Sequence, residues 1–310
     1  DFSRVIIPLK KFGAKFKYSL NYKLPIEVCG TKNAKPIKYN EVKGSAQCKS
    51  AVMLAALNTK GETLIKAKKS RDHTEILFKH LKIPIKLVKN KKFDLIRIKG
   101  GKKFIGFNYE IPSDISSSAF FIILTALSKH SQLIIKNVNI NPSRIGVITI
   151  LKRMGVKILF RNKKKYMGEH IADIFVKGAH KIKPINCPKH LNSQAIDEFL
   201  LIFLVAAKAD GISYFKEISE LNQKESPRLT LGSKILNMMG VKTILTNNSI
   251  KIYGNPKLRI ENKIEVKNYL KDHRIFMMSM IAGLSIGGNW KLHDPDSIKT
   301  SFPSFLNLIK

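Results

Sequence analysis

One pattern recurs four times along the chain and restricts its fold more than any other feature. A polar turn leads into an apolar helix, a small or polar break follows, and a short strand comes next. The copies are Ser45-Ala-Gln-Cys-Lys-Ser-Ala-Val-Met-Leu-Ala-Ala-Leu into Glu62-Thr-Leu-Ile-Lys, Asp114-Ile-Ser-Ser-Ser-Ala-Phe-Phe-Ile-Ile-Leu into Gln132-Leu-Ile-Ile-Lys, Ala195-Ile-Asp-Glu-Phe-Leu-Leu-Ile-Phe-Leu-Val-Ala-Ala into Ile212-Ser-Tyr-Phe-Lys, and Asp272-His-Arg-Ile-Phe-Met-Met-Ser-Met-Ile-Ala into Asn289-Trp-Lys-Leu. They lie roughly 70–80 residues apart, a longer period than the common solenoids use.

A second helix follows each break. In three copies an arginine leads it: Arg71-Asp-His-Thr-Glu-Ile-Leu, Arg144-Ile-Gly-Val-Ile-Thr-Ile-Leu and Arg228-Leu-Thr-Leu-Gly-Ser-Lys-Ile-Leu. Two of these helices close on Met-Gly-Val-Lys, at 154–157 and 239–242, where glycine suits the positive φ of a helix end. Strand pairs come next, 85–88 with 95–99 and 157–160 with 174–177. Each unit therefore reads β-α-β-α-β-β. Its helices are too apolar for a surface and are expected inside, covered by sheets. The chain opens out of phase, because Arg4-Val-Ile-Ile-Pro-Leu-Lys-Lys-Phe-Gly-Ala-Lys resembles the second helix and closing glycine of a unit. A half unit would leave a sheet edge and an apolar helix face uncovered, so the expectation is a polypeptide truncated at its start.

Composition supports a globular chain of one or two domains: 310 residues, 44% hydrophobic and 25% charged. No apolar run approaches the 18 residues of a membrane span. The longest, at 195–207, reads as one buried helix. No signal peptide pattern shows at the start. Cys29, Cys48 and Cys187 are odd in number and widely spaced, with no metal pattern, which points to a reducing cytoplasm. The charge is unusual, 56 Lys and Arg against 22 Asp and Glu, formally +34. The excess is mostly lysine, spread along the chain with many Ile and Asn. That is compositional drift rather than a nucleic-acid groove of clustered arginine and aromatics, although anionic substrates would find such a surface attractive.

Polar residues gather where the helices start, and helix N-termini attract anions. Ser45, Gln47 and Lys49 start one helix, and Arg71 another. Lys224, Glu225, Ser226 and Arg228 start a third, and Arg274 lies near the start of a fourth. Arginines converging from such positions suit phosphate or carboxylate, which they can grip bidentately. Blander roles compete. Ser45 serves equally as an N-cap, Lys49 as a solvated or structural lysine, and Asp72 and Glu75 as first-turn charges. His73 and His273 lack metal-ligand spacing, and no metal is expected. Asp197 and Glu198 interrupt a very apolar run, where carboxylates are costly unless paired or used.

These stretches carry a resemblance. Ser45-Ala-Gln-Cys-Lys-Ser-Ala, Ser70-Arg-Asp-His-Thr-Glu, Asp114-Ile-Ser-Ser-Ser-Ala-Phe-Phe, Asn141-Pro-Ser-Arg, Ile196-Asp-Glu, Lys224-Glu-Ser-Pro-Arg, Asp272-His-Arg-Ile and Thr300-Ser-Phe-Pro occur in the order found in the 5-enolpyruvylshikimate-3-phosphate synthase family, which the chain resembles over nearly its whole length. The resemblance implies an α/β (α+β) fold, an inside-out α/β barrel of two domains, each built of three such units. The first domain is incomplete here, the substrate side at 1–111, and the second, at 112–310, carries the catalytic aspartate and the arginines.

The implied reaction transfers the enolpyruvyl group of phosphoenolpyruvate to the 5-hydroxyl of shikimate 3-phosphate in aromatic amino acid biosynthesis. By position, Ser45, Ala46, Gln47, Arg71, Asp197 and Lys224 would hold shikimate 3-phosphate. Gln47, Arg228 and Arg274 would hold phosphoenolpyruvate, and Asp197, Lys224 and Glu225 would be catalytic. No cofactor, specific nucleic acid or membrane partner is implied, and a monomer in the cytoplasm is expected. The family's N-terminal Lys-Ser…Arg cluster has no counterpart here, so residues 1–310 alone are expected to be nearly inactive. Pro227 departs from the family pattern and fits a first helical turn. Asn222 departs as well, and Phe276 is expected to add bulk beside Arg274. The competing readings are a UDP-N-acetylglucosamine enolpyruvyl transferase, whose reactive loop cysteine finds no match in Cys29, Cys48 or Cys187, and a truncated domain that binds polyanions without catalysis.

Overall fold

The computed structural model describes residues 2–102 and 105–309. Its elements follow the repeat closely. Helix α1 (Ser3–Phe12) leads into the antiparallel hairpin β1 (Lys15–Ser19) and β2 (Lys23–Cys29), with Phe16 opposite Val28. Gly13 ends α1 at φ 107° and returns its N–H to the carbonyls of Leu9 and Lys10. This is the helix, closing glycine and strand pair expected of the second half of a unit.

A whole unit follows: β3 (Lys38–Glu41), α2 (Ala46–Leu57), β4 (Gly61–Lys68), α3 (His73–His80), β5 (Ile85–Lys89) and β6 (Phe93–Gly100). The strand order is β3-β4-β6-β5. β3 and β4 run parallel because a helix carries the chain across, whereas β5 and β6 form a hairpin with Ile85 opposite Ile98. One face of the sheet buries Ile65, Ala67, Ile96 and Ile98 together with Val52, Met53 and Ala56 of α2. The last strand ends in a glycine for a steric reason. A Cβ on Gly100 would lie 1.8 Å from the carbonyl oxygen of Ala56, at the end of α2. Gly254, two units on, meets the carbonyl of Ala209 at 2.3 Å in the same way.

The next unit comprises α4 (Ile115–Leu127), β7 (Gln132–Asn139), α5 (Gly146–Arg153), β8 (Lys157–Tyr166) and β9 (Glu169–Lys177), with strand order β7-β9-β8. Its leading strand is reduced to one parallel bridge from Ser113 to Val138. The third comprises α6 (Asn192–Ala195), α7 (Phe199–Ala207), β10 (Ile212–Lys216), α8 (Arg228–Met238), β11 (Thr243–Leu245) and β12 (Ser249–Tyr253), in the order β10-β12-β11. Its leading strand is likewise one parallel bridge, Asn186 to Tyr214. The chain then forms β13 (Ile260–Val266), α9 (His273–Ile286), β14 (Gly287–Leu292), parallel to β13, and a short α10 (Phe305–Leu308).

Two compact units result. One is Asp1–Glu110 with Lys165–Glu169, the tip of the β8–β9 hairpin. The other is Ile111–Lys164 with His170–Lys310. In the second unit α4, α7 and α9 pack on one another as central helices. All nine residues of α7 are buried. Each such Leu, Ile or Phe contributes about 1.5–3 kcal/mol relative to exposure. One expectation fails here. Residues 195–207 are two helices, not one, with a turn at 196–198 between α6 and α7. Among the described residues no helix is long and apolar enough to cross a membrane.

Candidate active site

The turn at 196–198 presents two carboxylates at the start of an otherwise apolar helix. The residue that secures it comes from α9: Arg274 Nη1 donates to the Asp197 carbonyl oxygen at 2.7 Å. A guanidinium thus takes the place of the amide that would have continued the helix. Arg274 is aimed by its own helix start. Asp272 caps α9 from an extended backbone, and its Oδ1 accepts the Arg274 N–H at 2.9 Å.

Asp272 also receives α8. Arg228, the first residue of α8, donates Nε to Asp272 Oδ2 at 2.8 Å and Nη2 to Oδ1 at 3.2 Å, a bidentate pair. Ser226 Oγ donates to Oδ2 at 2.7 Å. Burial pushes the Asp272 carboxyl up, but the Arg228 guanidinium, with help from Ser226 and the Arg274 amide, outweighs it, so the pKa falls below its ordinary value. His273 is held below its ordinary value by burial and then by Arg274. Pro227 stands at the N-cap of α8, where its missing N–H costs nothing, and Asn222 Oδ1 accepts the Thr230 N–H at 3.2 Å.

The outer groups close the cluster. Arg228 Nη1 lies 3.7 Å and Lys224 Nζ 3.5 Å from Asp197 Oδ1. Arg228 Nη2 meets Glu225 Oε2 at 2.5 Å, and Lys224 also reaches Glu220 at 3.5 Å. The second unit therefore gathers Asp197, Lys224, Glu225, Arg228 and Arg274 from three helix starts. Two cations beside a carboxylate of low exposure, with a third on the carbonyl of the same residue, suit an anionic substrate whose hydroxyl must lose a proton.

The remaining candidates belong to the first unit. Ser45 caps α2, accepting the Cys48 N–H at 3.3 Å. Ala46 and Gln47 form its first turn, which carries no acidic residue. Lys49, for which a solvated position was one expectation, is 1% exposed. It pairs with buried Glu75 at 2.6 Å and donates to the Arg71 carbonyl at 2.8 Å, tying the residues ahead of α3 to the first turn of α2. Cavities of about 450 and 360 Å³ in this unit are lined by none of the candidate residues.

Residues 2–309 match the family model described as EPSP synthase (3-phosphoshikimate 1-carboxyvinyltransferase). The chain belongs to the EPSP synthase family. Among its relatives in this family, the 3-phosphoshikimate 1-carboxyvinyltransferase of Ruthia magnifica is 39% identical over 98% of this chain and 68% of its own length. That of Hydrogenovibrio crunogenus is 36% identical with the same coverage. A solved EPSP synthase from Acinetobacter baumannii superposes with a TM-score of 0.84 at 35% identity, covering 99% of this chain and 69% of that one. The enolpyruvyl transferase NikO from Streptomyces tendae, at 13% identity and a TM-score of 0.75, shares the fold.

Three details of the sequence reading change within this EPSP synthase fold. Arg71 and Arg144 do not begin helices. Each lies two residues ahead of one, because α3 starts at His73 and α5 at Gly146. Phe276 adds no bulk at the Arg274 head group. It is 3% exposed and packs in the core, since a helical step of two residues turns it to the other side of α9. Asp272 was legible only as part of a motif, yet it joins Ser226, Arg228 and Arg274. Its signal was its place one residue ahead of an apolar helix, where an N-cap belongs.

Proposed function

We propose that the groups gathered in this chain serve the transfer of the enolpyruvyl group of phosphoenolpyruvate to the 5-hydroxyl of shikimate 3-phosphate with release of phosphate, a step of aromatic amino acid biosynthesis. The observation that carries this reading is the gathering of Asp197, Lys224, Arg228 and Arg274 in one cluster. The hydroxyl adds to C2 of phosphoenolpyruvate while C3 gains a proton. The tetrahedral ketal then loses a C3 proton and phosphate.

Asp197 serves as base for the hydroxyl, with Lys224 holding its charge. Glu225, an exposed carboxylate paired with Arg228, moves the proton at C3. Arg228 and Arg274 hold the carboxylate and phosphate of phosphoenolpyruvate, joined by Gln47. Ser45, Ala46, Gln47 and Arg71 hold shikimate 3-phosphate, using the N-terminal end of α2. The protein acts as a monomer in the cytoplasm, and its described cysteines Cys29, Cys48 and Cys187 are all unpaired. Sedimentation of the purified chain tests the monomer.

The function is tested by equilibrium binding. Phosphoenolpyruvate should bind saturably, more tightly with shikimate 3-phosphate present, and Arg274→Ala should abolish that binding. A chain that binds neither ligand saturably would sink the proposal. In a form that turns over, Asp197→Asn should lower phosphate release about 10²–10⁴-fold and leave phosphoenolpyruvate affinity less affected.

A further inference from the structure

Behind Asp197 and Arg274 lies a second polar set with no role in the steps above. Glu198 is 1% exposed at the start of α7, whose own residues are all apolar. Ser116, in the first turn of α4, donates its hydroxyl to Glu198 Oε1 at 2.5 Å. Arg144 Nη2 donates to that same hydroxyl at 2.7 Å and to Asp114 Oδ1 at 3.0 Å. On the other side, Arg274 Nη1 lies 3.7 Å from Glu198 Oε1 while donating to the Asp197 carbonyl.

Four parts of the second unit thus converge on one buried carboxylate: α4, the loop ahead of α5, the 196–198 turn and α9. Burial pushes the Glu198 carboxyl up, and neighbouring Asp197 pushes it the same way, against Arg274, Ser116 and Arg144. An apolar residue would avoid this cost and pack with the rest of α7. The position is therefore poorly explained by stability, and its contacts lead to the two residues on which the proposed reaction depends.

We propose that Glu198 is a positioning residue: its carboxylate, held in place by Ser116 and Arg144, sets the direction in which Arg274 presents its guanidinium to phosphoenolpyruvate. The inference rests on Arg274 being a phosphoenolpyruvate ligand, as proposed above. A guanidinium is a rigid planar fork. Once Nη1 is engaged by the Asp197 carbonyl and drawn toward the Glu198 carboxylate, the plane of the group is defined and its other edge points one way. The same turn carries Asp197, so base and arginine keep a constant separation. A shift of about 1 Å in such a group costs up to about 10²-fold in rate. Glu198 itself touches no substrate.

The test compares the wild-type protein with Glu198→Gln, Glu198→Asp, Ser116→Ala and Arg274→Ala. Each is titrated with phosphoenolpyruvate in the presence of shikimate 3-phosphate, then with shikimate 3-phosphate alone, and its thermal midpoint is measured. Glu198→Gln keeps the shape and removes the charge. It should weaken phosphoenolpyruvate about tenfold, leave shikimate 3-phosphate within about twofold and not lower the thermal midpoint. Glu198→Asp, which keeps the charge on a shorter arm, should recover part of the loss. Ser116→Ala should show a smaller loss in the same direction.

The inference is overturned if Glu198→Gln binds phosphoenolpyruvate within twofold of wild type. It is equally overturned if both ligands weaken together with a lowered midpoint, which marks a structural role. Should wild type bind phosphoenolpyruvate, Arg274→Ala lose it and Glu198→Gln keep it, the positioning role alone falls. Should wild type not bind it at all, the proposed site falls first and this inference with it.

Discussion

Asp272 and Glu198 are both 1% exposed, both stand where an apolar helix of the second unit begins, and both face arginine, yet their carboxyls move in opposite directions. Burial is the first influence on each and raises both. The donors make the difference. Asp272 accepts two guanidinium bonds from Arg228, one from Ser226 and one from the Arg274 amide. Glu198 accepts a hydroxyl bond from Ser116, stands 3.7 Å from its nearest guanidinium nitrogen and has Asp197 as a charged neighbour. Equal burial therefore yields an anchor in one case and a carboxylate held at a cost in the other. The anchor orients the helix starts, and the costly group stands beside the residues assigned to chemistry.

Losing the anchor should act first on stability. Asp272→Ala leaves Arg228 buried without its bidentate partner and should cost about 3–5 kcal/mol, read by denaturant unfolding. A loss below about 1 kcal/mol would mean that Asp272 is no anchor. Replacing both partners, Asp272→Leu with Arg228→Met, should cost distinctly less than Asp272→Ala alone, because no unpaired charge remains.

Titrating stability sharpens the contrast. The Asp272 pKa is depressed in the fold. Its contribution is therefore full above the ordinary value of 3.8 and lost as pH falls through the lower folded value. The Glu198 pKa is raised, so stability declines as pH rises from the ordinary 4.5 through the higher folded value. Wild type should thus lose its advantage over Asp272→Asn in acid. Glu198→Gln should match or exceed wild type at pH 7 and lose that edge in acid. Identical pH profiles for the two variants would remove the distinction. The smallest effect is expected at Asp114, which caps α4 through the Ser117 N–H at 2.9 Å from an exposed side chain. Asp114→Ala should cost about 1 kcal/mol, and a loss as large as that of Asp272→Ala would show that burial and donor number do not rank these caps.

Much of this was legible in the chain as written. The β-α-β-α-β-β unit, the cap Ser45, and the left-handed glycines at 13, 155 and 240 are local patterns that neighbouring residues impose on one another. Asp197 and Glu198 stood out because charge in an apolar run needs a reason. Motifs in order along the chain were enough to point to the family. Tertiary structure alone decided the rest. The turn at 196–198 exists because Arg274, 77 positions away, satisfies the Asp197 carbonyl. Arg228 becomes a buried partner rather than a solvent-facing cation because Asp272 arrives from 44 positions further on. Lys49 is buried because Glu75 comes to it from another helix. Phe276 leaves the Arg274 head group because the phase of α9 turns it into the core. Each of these outcomes depends on a partner distant in sequence, and the energy of a buried polar group is set by that partner rather than by its neighbours along the chain.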